Sequence, residues 1–150
     1  MVKKIDDLRP DHIGWRLWEA AALWKRLFAD EMVAAGHGWY REARSSIIPY
    51  INLEAGTRQV DIVAAMGLSK QAVQQLIQDL EAEGIVERVP DPDDGRGKIV
   101  RLTEKGLAAQ IDAVAAKRKV EATLRDRLGA AEFDSLAQTL IRLIEADDPA

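Results

Sequence analysis

The chain has no cysteine. That excludes disulfides, thiolate metal sites, cysteine nucleophiles and thiol-based oxidant sensing together. Histidine is almost as scarce: His12 and His37 stand far apart, and neither belongs to a metal-spaced cluster. No glycine-rich phosphate loop or G-x-S-x-G elbow appears, so catalytic chemistry has little to work with and no cofactor is expected. No apolar run approaches a membrane span. The start, 1–7, carries Lys3 and Lys4 with no apolar stretch behind them, unlike a signal peptide. A cytoplasmic protein with no membrane association is the expectation. Positive charge is also lacking. The net charge is -4, where a nucleic-acid binder is usually basic.

What remains is 150 residues with 47% apolar and 31% charged content, enough for one domain with a sizeable core. Ile13, Leu17, Ala20, Ala21, Trp24, Leu27, Phe28 and Met32 recur at helical spacing over 12–35, and Trp15, Trp18 and Leu23 add apolar groups off that stripe. Such a helix has more apolar surface than one contact covers. A shorter helix is expected over 40–50, burying Ile47, Ile48 and Tyr50, with Pro49 tightening its last turn. Thr57 is placed to cap the next helix, with Val60, Ile62, Val63 and Ala64 on its buried side. Gly67 suits the tight turn that follows, and Ser69 caps a second helix. Two short helices around a glycine turn form a helix-turn-helix.

The second of these helices carries Gln71, Gln74, Gln75 and Gln78 on one side and Ala72, Val73, Leu76, Ile77 and Leu80 on the other. A carboxamide offers a donor beside an acceptor, the pairing that reads adenine in a DNA major groove. The bland alternative is a solvated face of good helix formers. Between Arg58 and Arg101 six bases (Arg58, Lys70, Arg88, Arg96, Lys98, Arg101) face eight acids (Asp61, Asp79, Glu81, Glu83, Glu87, Asp91, Asp93, Asp94). The run 69–78 nevertheless contains no carboxylate, and Lys70 sits at the positive end of the helix dipole.

Gly84 stops the helix. Strands are expected over 85–89 and 98–102, joined by the turn-rich 90–97, a β-hairpin with a polar, mobile tip. A helix-turn-helix followed by such a hairpin is a winged helix. Ser69 and Lys70 are expected to meet phosphate, while Gln71, Gln74 and Gln75 read bases; Gln78, beside Asp79, reads as solvated. Arg96, flanked by glycines, suits a narrow minor groove, with Asp94 placed to pair with it, and Lys98 suits phosphate. The segment 91–95 looks superficially like a calcium loop. Arg96 stands where an EF-hand needs glycine and Leu102 where it needs glutamate, so no metal is expected. Thr103 caps a helix over 104–128 with Leu107, Ile111, Val114, Leu124 and Leu128 as its core stripe, and Phe133, Leu136, Leu140, Ile141 and Ile144 mark a last helix before 147–150.

The segments 67–73, 80–88 and 91–106 resemble the MarR family of winged-helix transcriptional regulators. The wing is the most specific part: Asp91, Pro92, Asp94, Arg96 and Lys98 match the pattern D-P-x-D-x-R-x-K, and Leu102, Thr103 and Gly106 match L-T-x-x-G. Gly95 and Gly97 depart from it, where arginine and a small residue are common, which implies a looser wing. The resemblance implies one mainly α domain over 1–150. A winged helix-turn-helix lobe would occupy 53–102, and 10–35 with 103–146 would dimerise. It further implies a homodimer on a pseudo-palindromic operator of double-stranded DNA, usually repressing. The recognition helix would enter the major groove and the wing the minor groove. Release would follow when a small aromatic or anionic effector enters a cleft, for which Trp15, Trp18, His37, Trp39 and Tyr40 are the candidates. The competing expectation is a winged helix retired from DNA and used as a protein-interaction or dimerisation module.

Overall fold

A computed structural model of the chain describes residues 12–41 and 43–147. The lysine-bearing start, the first two residues of the expected 10–35 segment and the last three residues lie outside them. The order is α1 (Ile13–Ala34), two 3₁₀ stretches (Gly38–Arg41 and Ala43–Tyr50), β1 (Thr57–Arg58), α2 (Gln59–Met66), α3 (Lys70–Ala82), β2 (Val86–Pro90), β3 (Lys98–Leu102), α4 (Glu104–Leu128) and α5 (Ala130–Glu145). The chain is mainly α with a small antiparallel sheet in the order β1-β3-β2.

Local chemistry explains most boundaries. Ser69 Oγ accepts from the Ala72 N–H at 3.1 Å and Thr103 Oγ1 from the Gly106 N–H at 3.1 Å, satisfying amides that a helix start leaves open. Gly67 closes α2 with φ +63, the left-handed geometry glycine adopts without strain. Where the expected helix over 40–50 is described it is 3₁₀, in the stretches Gly38–Arg41 and Ala43–Tyr50, and Tyr50 is exposed rather than buried, while Ile47, Ile48 and Ile51 are buried.

Thr57 does not cap α2. It lies in β1 opposite Val100, and its Oγ1 accepts from the Asn52 N–H at 2.9 Å. Arg58 takes the cap position, but its side chain makes no capping bond to the helix backbone. The sequence gives no sign of this short third strand, because two residues are too few to show alternation. The buried side of α2 is also narrower than expected: Ile62 is buried and Val63 half-buried, but Val60 is 62% exposed and Ala64 is exposed.

The main core sits in the lobe. Val73, Ile77 and Leu80 of α3 pack with Ile47, Ile48, Ile51, Ile62, Ile85, Val86, Val100 and Leu102. Each such side chain contributes about 1.5–3 kcal/mol by leaving water. A second, smaller cluster joins α1 to α4 through Met32, Ala113 and Ala116, with Phe28 and Tyr40 against it.

The expected core stripe of α4 is corrected. Leu107, Ile111, Val114 and Leu128 are exposed, and the buried positions are Gly106, Ala109, Ala113, Ala116 and Val120. Small residues let α1 and the lobe come close, so the bulky ones point away. At Gly106 a Cβ would stand 2.2 Å from the Ile85 carbonyl oxygen, a contact only glycine permits. On α5, Leu136, Leu140, Ile141 and Ile144 are exposed as well, and no residue of that helix is buried.

Candidate nucleic-acid interface

The face of α3 opposite Val73, Ile77 and Leu80 carries Gln71, Gln75 and Gln78, all exposed, while Gln74 is half-buried at its flank. The neighbour of Asp79 in space is Gln75, not Gln78: the Gln75 Nε2–H donates to Asp79 Oδ1 at 2.9 Å. One helical turn separates residues i and i+4, so the two side chains overlie each other along the axis. Ser69 and Lys70 are exposed at the start of α3. The Ser69 oxygen is occupied as a cap, which leaves its O–H available to donate.

The wing is more ordered than its composition suggests. The Asp91 N–H donates to the Gly97 carbonyl at 3.1 Å, and the Gly97 N–H to the Asp94 carbonyl at 2.9 Å. Asp91 is buried, and its Oδ1 accepts from the Asp93 N–H at 2.9 Å. Asp94 does not pair with the Arg96 guanidinium; its Oδ1 accepts from the Arg96 backbone N–H at 3.0 Å. Asp94 thus fixes the turn and leaves the guanidinium free. Gly97 is where a side chain would press on Asp91, at 3.2 Å from its Cβ, so this glycine serves a tight tip rather than a loose one.

The acids of the lobe are held by other arginines. Arg58 bonds Asp61 at 2.8 and 3.1 Å, Arg88 grips both Glu81 oxygens at 3.0 and 2.7 Å, Arg101 meets Glu87 at 2.7 Å and Arg44 meets Glu83 at 3.1 Å. The Asp61 hydrogen bond and charge, with smaller contributions from Asp91 and Asp94, raise the Arg58 pKa above its ordinary value. The solvent-exposed pairs among them are screened and add little to stability. Their larger effect is on the field, because they neutralise carboxylates locally. Among the described residues, Lys70, Arg96 and Lys98 form no ion pair. All three line one cleft of about 320 Å³ between the wing and the starts of α2 and α3, with Gln59 and Val60 beside them.

Gln59 is a member of this cleft that the sequence reading does not single out. The signal lies in the Arg58–Asp61 spacing, which marks the true start of α2 and puts Gln59 at its first turn.

The five effector candidates divide into two places. Trp15 and Trp18 stack on each other near the start of α1, with centroids 4.9 Å apart, and Trp18 is 62% exposed. His37, Trp39 and Tyr40 follow the other end of that helix, about 30 Å away at 1.5 Å per residue. There His37 Nε2 lies 2.8 Å from Asp112 Oδ2, and the Gln110 amide donates to Tyr40 Oη at 3.2 Å. Trp39 and Tyr40 are 4.3 Å apart, and Phe28 meets Tyr40 edge-on at 5.4 Å. Burial raises the Tyr40 pKa, and the Gln110 bond offsets part of that shift. The Trp39 indole N–H is buried without an acceptor among the described residues.

Among the described residues no His, Asp and Glu side chains converge as metal ligands, and no helix is long and apolar enough to cross a membrane. A tight helix pair, a second helix showing its polar face, and a hairpin whose tip shares a cleft with that helix's first turn together define a winged helix-turn-helix protein. Residues 45–97 match the profile of the MarR family. The chain is 30% identical over 92 residues to the HTH-type transcriptional repressor NicR of Pseudomonas putida, covering 61% of this chain and 58% of NicR. The chain spans about half the length of the curated relatives it matches. The reduced form of MarR from E. coli superposes with a TM-score of 0.75 at 21% identity, covering 90% of this chain and 98% of that one. CouR from Rhodococcus jostii RHA1, solved with p-coumaroyl-CoA bound, gives 0.63 at 25% identity, over 87% and 90%.

Proposed function

We propose that this chain is a sequence-specific regulator of transcription that binds a pseudo-palindromic operator in double-stranded DNA as a homodimer, and that it represses until a small effector releases it. The observation that carries this reading is the survival of three unpaired cations, Lys70, Arg96 and Lys98, around one cleft in a lobe whose other bases are spent on acids. Beside the cleft stands the exposed carboxamide face of α3. Lys70, Lys98 and the Ser69 hydroxyl grip phosphate, Arg96 enters the minor groove, and Gln71 and Gln75 face base edges with Gln74 at the flank. The lobe over 53–102 does the reading, and the helices of 10–35 and 103–146 supply the dimer.

The effector reading is supported by CouR, which holds p-coumaroyl-CoA. In this chain His37, Trp39 and Tyr40 provide an aromatic surface with polar atoms where α1, α4 and the lobe meet, and a small aromatic or anionic molecule suits it. Trp15 and Trp18 stand too far off to share that place within one subunit.

Selection of bound fragments from random duplex DNA tests the function. A two-fold-symmetric motif is expected, with half-sites about one helical turn apart, about 34–36 Å. Recovery of unrelated fragments only would overturn the reading in favour of a protein-interaction module.

A further inference from the structure

We infer that Asp79 is a positioning residue that aims the Gln75 carboxamide, making Gln75 a reader of amino-bearing bases, adenine or cytosine, on the strand it faces. This rests on the DNA-binding reading above. A carboxylate only accepts hydrogen bonds, so the end of the Gln75 amide that meets Asp79 Oδ1 at 2.9 Å must be the nitrogen. Chemistry therefore fixes the orientation that an isolated glutamine leaves open. Oε1 is turned away from Asp79, and among the described residues no donor meets it.

Gln71 and Gln78 are exposed on the same face without such a partner, and each can present either end of its amide. Gln75 cannot flip without losing its bond. In the major groove an acceptor finds a donor at adenine N6 or cytosine N4. Guanine N7 and O6 and thymine O4 offer only further acceptors. With one of its two N–H groups spent on Asp79 and Oε1 open, the held amide favours amino over keto bases, and it enters the groove with its rotamer already chosen.

The experiment is selection from random duplex DNA with the parent, Asp79→Ala, Asp79→Asn and Gln75→Ala. Gln75→Ala identifies the position concerned as the one whose preference disappears. In the parent that position should favour A or C on one strand over G or T by about two- to ten-fold, the range of one neutral hydrogen bond. Asp79→Ala should abolish that preference and leave the remaining motif unchanged. Asp79→Asn should weaken it, because a carboxamide donates as well as accepts and no longer fixes which end of the Gln75 amide it meets. Identical position weights for the parent and Asp79→Ala would overturn the inference. So would uniformly tighter binding by both Asp79 variants with no change of motif, which marks Asp79 as a mere negative charge near phosphate. A parent that recovers no motif overturns the DNA-binding reading, and this inference with it.

Discussion

The lobe and the long helices of this chain solve the problem of apolar surface in opposite ways. In the lobe α3 buries Val73, Ile77 and Leu80, and the sheet buries Val86, Val100 and Leu102, so the bulky groups face inward. On the long helices they face outward. Ile111 is 73% exposed and Ile144 71%, while α4 packs against its own chain through Ala109, Ala113 and Ala116. Bulky apolar groups exposed along α4 and α5 are what the proposed homodimer would cover, since a two-fold interface applies one patch to itself. The lobe encloses its bulky groups within one chain, whereas α4 and α5 leave theirs exposed.

That contrast can be broken at four points. The largest effect is expected from a pair of charges on α5, Leu140→Glu with Ile144→Glu. Symmetry introduces each charge twice per interface, and dimerisation should weaken by roughly a thousand-fold or more. Sedimentation equilibrium should then show monomer at concentrations where the parent is dimer; an unchanged dimer would place the interface elsewhere. Next, Leu80→Ala and Ile111→Ala separate the regions. The first should cost about 2–5 kcal/mol in denaturant unfolding by leaving a cavity. The second should alter stability only in a manner that depends on protein concentration.

Gly106→Ala probes the seam between the regions. The added methyl meets the Ile85 carbonyl, and the clash should outweigh the helix propensity gained, a net loss of about 1–3 kcal/mol. A variant as stable as the parent would mean that α4 can shift off the sheet freely. The smallest effect on stability is expected from Arg96→Ala, within about 0.5 kcal/mol for an exposed side chain without a partner. Its affinity for the selected operator should nevertheless fall at least several-fold in a titration, and equal affinity would remove the wing from the interface.

The same contrast explains what can be read from the sequence. Caps and glycine turns are local, so Ser69, Gly67, Gly84 and Thr103 mark their helix ends correctly, and α3, β3 and α4 fall where the periodicity puts them. Bulk alone does not say which way a helix faces. Both faces of α4 repeat at helical spacing; size favours the larger residues for the core, whereas close approach demands the smaller ones. Thr57 reads as a cap because its pairing partner, Val100, lies far along the chain. At the interface, residue types are legible but pairings are not. Asp94 satisfies a backbone amide rather than Arg96, and Asp79 takes Gln75 rather than standing beside an idle Gln78. Which cations stay unpaired depends on contacts such as Arg44–Glu83, between residues distant in sequence.

The DNA-binding proposal rests on Lys70, Arg96 and Lys98 standing outside the ion pairs of the lobe. The most direct measurement is the slope of the logarithm of the operator binding constant against the logarithm of salt concentration, for the parent and for Lys70→Ala and Lys98→Ala. Removing one phosphate contact should reduce the magnitude of that slope by about 0.9, so each substitution, present twice in a dimer, should reduce it by about 1.8. A parent slope near zero, or slopes unmoved by both substitutions, would contradict the account.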